Sequence, residues 1–110
     1  MTIQHQNLAA GRWQTFSLLE QMAHIGGEVE RALNWREKGN LEYSRRAFER
    51  ALELLCFSLG DAKNLGRAKE LARVYELLVD YFAGLNEYGS SADLWRKYFL
   101  PFAHAVSRQR

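Results

Sequence analysis

The sequence predicts an all-α protein, an antiparallel four-helix bundle whose last helix bends at Pro101. Three observations carry this. Four stretches space their apolar residues by three and four, which is the stripe an amphipathic helix buries. One proline and eight glycines in 110 residues are too few for the closely spaced turns of an all-β domain. No short run of β-branched residues lies between the stripes, as a parallel sheet would require. With short connections, each stripe buries best against the others in a bundle.

Residues 1–12 mix Gln, His, Asn and Gly with scattered apolar side chains and read as a flexible arm preceding one domain over 13–110. The first helix follows Thr15 as its cap, on the stripe Leu19, Met22, Gly26, Val29 and Leu33. Gly26 and Gly27 each cost a helix about 1 kcal/mol relative to Ala, so the pair implies either a kink or a close neighbouring backbone. A close helix contact at Gly26 is the expectation. Gly39 ends this helix and Asn40 caps the next. The second helix buries Leu41, Ser44, Phe48, Ala51 and Leu55, with Ala47 and Leu52 widening the stripe. On its polar face the pairs Glu42 with Arg46, Arg45 with Glu49, and Arg50 with Glu53 stand one helical turn apart.

Gly60 is placed as the residue that closes the second helix, with Asp61 or Asn64 capping a third over residues 65–85. The wide arc of Ala68, Leu71, Val74, Tyr75, Leu78, Tyr81, Phe82 and Leu85 makes this third helix the one expected to be most buried. Ser90, with Asp93 three residues on, approximates a capping box for the fourth. That helix buries Trp95, Tyr98, Phe99, Phe102 and Val106, while Pro101 lacks the amide that would reach back to Lys97 and so bends or splits it.

Composition sets the function classes. With 47% hydrophobic and 13% aromatic residues the chain can form a core, which excludes a disordered protein. A lone cysteine, Cys56, forms no intrachain disulfide and points to a reducing compartment. No apolar run reaches the roughly 20 residues that cross a bilayer, and the start shows no signal pattern. The expectation is a cytoplasmic protein with no membrane association. A net charge of +2 is too balanced to imply nucleic acid by itself.

Chemical motifs are sparse. There is no glycine-rich phosphate loop, CxxC pair or nucleophile elbow, so no catalytic residue, cofactor or metal is assigned and an enzyme is not supported. Glu20, His24 and Glu28 share a helix face at spacings of four but read as a solvated polar stripe. His5 and His104 lack an orienting partner in the sequence, and Cys56 beside Leu55 and Phe57 reads as a small buried hydrophobe. The binding candidates are basic. Residues 45–73 hold seven basic and four acidic residues, whereas 74–95 hold four acids and no Lys or Arg. This asymmetry is expected either to orient self-association or to set Arg45, Arg46, Lys63, Arg67 and Arg73 against an acidic partner or RNA. Trp35 between Arg31 and Arg36 is the second candidate, as an interface anchor or stacking platform.

The run from Gly39 through Leu55, with Ser44, Phe48 and Ala51 at the small, aromatic and small positions, resembles the second helix of a tetratricopeptide repeat. No second copy follows about 34 residues on, as a solenoid would need. The longer stretch EVERALNWREKGNLEYSRRAFERALELL, with VDYF and NEYGSS, looks like a family of small uncharacterised prokaryotic helical proteins, a likeness that implies a bundle and no activity. A remoter likeness is to HEPN-type bundles, which implies dimerisation and either ribonuclease chemistry or partnership with a nucleotidyltransferase. Active members carry an Arg and a His on a late helix at a tighter spacing than the seven residues between Arg96 and His104 here. Function is thus expected to be protein–protein association, as a homodimer or larger assembly or with a partner helix. The alternative is a HEPN-like bundle binding nucleic acid or nucleotide through the basic stretch. Tyr75, Tyr81, Phe82, Trp95, Tyr98, Phe99 and Phe102 crowd the last two helices, and some are expected to face a twin subunit.

Overall fold

A computed structural model describes residues 11–109, so most of the proposed arm, with His5, lies outside the described residues. It contains α1 (Leu18–Glu37), α2 (Leu41–Leu59), α3 (Ala68–Phe82) and α4 (Ala92–Arg108), with 3-10 turns at Trp13–Thr15 and Ala62–Arg67. They form an antiparallel four-helix bundle in which α1 packs on both α2 and α4, and α3 packs on α2. The interior is one cluster, from Trp13 and Ile25 through Leu55 and Leu78 to Trp95 and Phe99.

Local chemistry sets the helix ends. Ser17, not Thr15, caps α1, in a reciprocal box where Ser17 Oγ accepts from the Glu20 amide at 3.1 Å and Glu20 Oε1 from the Ser17 amide at 3.0 Å. Gly39 takes φ +82°, a left-handed turn that glycine adopts without Cβ strain, and Asn40 Oδ1 accepts from the Tyr43 amide to open α2. Gly60 closes α2 as expected, in a right-handed conformation. Asp61 caps the 3-10 turn rather than α3, which begins at Ala68 and is shorter than its apolar arc. Ser91, one residue past the expected Ser90, caps α4. That helix runs through Pro101 unbroken, with the proline on its exposed side where water can take the freed carbonyl.

Burial departs from the stripes at the helix ends. Leu41 and Leu85 are 69% and 87% exposed, because each stands at a terminus beyond the neighbouring helix. The most buried helix is α2, not α3, since α2 is covered by α1 on one side and α3 on the other. Ser44 Oγ donates to the Ala32 carbonyl at 2.8 Å, and Ala47 and Ala51 are fully buried, so small residues let α2 lie close. Gly26 does the same for α4. A Cβ there would stand 2.9 Å from both Cβ and Cδ1 of Phe99, which shows the close contact expected at this position; Gly27 faces open space.

A buried polar network closes the end of the bundle near the chain start. Gln21 Nε2 donates to the Trp13 carbonyl and to Asp61 Oδ2, while its Oε1 accepts from Ser58 Oγ and Asn64 Nδ2, all within 3.1 Å. Trp13 Nε1 donates to Ser58 Oγ, and Lys63 pairs with Asp61. Each buried polar atom here has a partner, as burial demands.

Candidate functional site

The basic candidates are spread over α1, α2, the second 3-10 turn and α3, and most are engaged by a neighbouring carboxylate. On α1, Arg31 pairs with Glu28 at 2.9 Å, and Trp35, half-buried, meets Tyr43 edge-on with the Lys38 ammonium 5.2 Å above its ring. Arg46 pairs with Glu42, Arg67 with Glu70, and Arg73 with Glu76 while lying 4.6 Å over the Tyr88 ring. Lys63 holds Asp61 and donates to the Gln14 carbonyl at 2.9 Å. These exposed pairs are worth little individually. Of the three pairs expected on α2, only Glu42 with Arg46 forms: Arg50 reaches across to Glu28 at 3.0 Å, and Arg45 makes no ion pair among the described residues. Arg50 turns away because the α1 carboxylate is half-enclosed by both helices, where a charge pair gains more than in open water.

Two of the candidates do converge. Arg36 from α1 and Arg45 from α2 line a cavity of about 670 Å³ whose floor is Phe48 and Phe82 and whose rim holds Leu41 and Glu49. A second concavity of about 580 Å³ runs between α1 and α4, lined by Ala23, Gly26, Gly27, Leu33, Leu100 and Ala103, with Glu30 and Lys97 on its edges. Trp95 and Phe99 form its floor, and the buried Trp95 Nε1–H has no acceptor among the described residues. The glycine pair was its signal in the sequence. Arg96 also lines this groove and clamps α4 to α1, with Nε 3.1 Å from both oxygens of Glu30, two nitrogens on Glu37 at 2.9 and 3.0 Å, and one on Asn34 at 3.1 Å. Those bonds hold the Glu37 carboxyl below its ordinary range and the Arg96 guanidinium above its own. Arg96 is thus engaged by α1, and His104 lies exposed further along the same helix.

The other expected features resolve locally. Glu20 belongs to the α1 cap, His24 packs against Phe16 at 5.0 Å, and Glu28 holds Arg31 and Arg50; no cluster of three metal-binding side chains exists among the described residues. Cys56 is exposed, not buried, because it lies one residue off the stripe of Leu55 and Ser58; burial, with the Cys56 thiol as a lesser influence, pushes the Tyr75 hydroxyl up. None of the seven crowded aromatics is exposed: Trp95 and Phe99 are buried and the rest half-buried, and the large exposed apolar side chains are instead Leu41 and Tyr43 on α2, Leu94 and Leu100 on α4, and Leu65, Leu85 and Tyr88 in the connections. Tyr98 Oη donates to Glu70 at 3.1 Å, tying α4 to α3, and burial followed by that carboxylate pushes its hydroxyl well up. No helix of the described residues is long and apolar enough to cross a membrane. Comparison with protein-family models, curated proteins and solved structures finds no match to this chain.

Proposed function

We propose that this chain acts by associating with a second copy of itself through the groove between α1 and α4. The observation that carries the reading is a knob and a hole on one face: Leu100 stands 52% exposed beside Gly27, which has nothing within 4 Å of a built Cβ. A two-fold axis running along the helices sets Leu100 of each copy over Gly27 of its twin. The same operation brings Lys97 near Glu30 of the twin, although each already has a partner in its own chain, Lys97 on Asp93 at 3.0 Å and Glu30 on Arg96 at 3.1 Å, so the apolar fit and not charge carries the contact. Small residues along the groove let the second α4 approach closely. The competing reading, RNA held by Arg45, Arg46, Lys63, Arg67 and Arg73, has less support because four of these five already face a carboxylate. Sedimentation equilibrium tests the proposal: a dimer is expected for the wild type and a monomer for Leu100→Glu. A wild-type monomer at high micromolar concentration overturns it. RNA binding that falls steeply with salt and is abolished by Arg46→Glu with Arg67→Glu would favour the other reading.

A further inference from the structure

The cavity at the α1–α2 turn shares no lining residue with the α1–α4 groove and has different chemistry. Its floor is aromatic, with the Phe48 and Phe82 rings stacked at 5.2 Å and 29°. Arg36 is fixed beside this floor, its guanidinium 4.7 Å over Tyr81 and 5.6 Å over Phe82, and it donates to the Tyr81 carbonyl at 3.3 Å. That bond uses one of five N–H donors. Arg45 enters from α2 with its charge unpaired among the described residues, although Glu49 stands one turn away on the same helix. Leu41, the first residue of α2, supplies an exposed apolar lip.

We propose that this cavity binds a small aromatic monoanion, a planar apolar ring bearing one carboxylate. The ring packs against Phe82 and Leu41, and the carboxylate accepts from Arg45 and from the free edge of Arg36. About 670 Å³ lies within the range of small-molecule sites. Two cations against one anion, Glu49, leave a single positive charge, which matches a monoanion and disfavours a neutral or more highly charged ligand. Arg36, held in place by Tyr81, needs little reordering on binding, which lowers the entropic cost.

The test is titration of the full chain with 2-naphthoate and with neutral 2-naphthamide, followed by calorimetry and by amide chemical shifts. The expected result is saturable binding of the acid, shifts centred on Leu41, Arg45 and Phe82, and at least tenfold weaker binding of the amide. Arg45→Gln, at an exposed site with no ion pair to lose, weakens the acid by about tenfold, whereas Glu49→Gln tightens it. Leu41→Asp provides a second loss variant at an exposed position. No binding of 2-naphthoate at millimolar concentration, equal binding of acid and amide, or an affinity indifferent to Arg45→Gln would each overturn the proposal. Dimerisation enters none of these readouts.

Discussion

Two adjacent glycines in α1 are predicted to respond to the same substitution with opposite sign. An alanine at either position gains up to about 1 kcal/mol of helix propensity, since both lie mid-helix. Subtracting one variant from the other therefore cancels the backbone contribution and leaves packing. At Gly27 the new methyl meets nothing within 4 Å, so Gly27→Ala is stabilising. At Gly26 it stands 2.9 Å from Phe99 Cβ, which is bonded to the α4 backbone and moves only with that helix. Arg96, one turn away and clamped to Glu30 and Glu37, resists such a shift. Overpacking of this kind costs about 1–3 kcal/mol, so the two variants differ by that amount, or on the order of 4–15 °C in Tm for a domain of this size. Thermal unfolding in a Leu100→Glu background keeps association out of the comparison. Equal stability, or a more stable Gly26→Ala, would refute the close contact between α1 and α4.

Three further outcomes follow from the packing. Ser58→Ala removes the acceptor of Trp13 Nε1 and a donor to Gln21, and is expected to cost about 1–3 kcal/mol in urea unfolding; an unchanged midpoint would show that the buried network adds nothing. For Asp61, burial raises the carboxyl, but hydrogen bonds from Lys63 and Gln21 and the lysine charge prevail and hold it below its ordinary value. A depressed carboxyl stabilises the fold above its unfolded pKa of about 4, and that contribution is lost as pH falls through the folded value. The stability gap between wild type and Asp61→Asn is thus widest at neutral pH and narrows below about pH 4, and a gap independent of pH would contradict the pairing. Arg96→Gln loosens α4 alone: hydrogen exchange should quicken along α4 while α2 stays protected, whereas uniform loss of protection would place Arg96 in the global core.

The helices were legible because a three-to-four stripe records one buried face, and Met22, Val29, Phe48, Leu55, Leu71, Leu78 and Phe99 are inside where the stripes place them. Ends were less so. Thr15 and Ser17, or Ser90 and Ser91, are equally good cap residues in sequence, and only backbone geometry selects one. The 3-10 turn at Ala62–Arg67 and the exposed ends Leu41 and Leu85 depend on where a neighbouring helix stops. Gln21, Ser58 and Asn64 carry no periodic signal, so their network was invisible until the chain folded. The Gly26 contact could be read from a missing side chain on an apolar stripe. The meeting of Arg36 with Arg45 could not, because their cavity depends on Phe82, which α3 brings from far along the chain.

Exchanging the knob and the hole tests self-association most directly. Gly27→Leu puts a side chain in the hole, where an added Cβ meets nothing within 4 Å, and sets it against Leu100 of the twin. Leu100→Ala removes the knob at an exposed position. Each variant alone is expected to sediment as a weakened dimer or a monomer. An equimolar mixture is expected to recover a dimer containing one copy of each, because both contacts then pair a leucine with a small residue. A mixture that remains monomeric, or a Gly27→Leu variant that self-associates as well as the wild type, would contradict association through the α1–α4 groove.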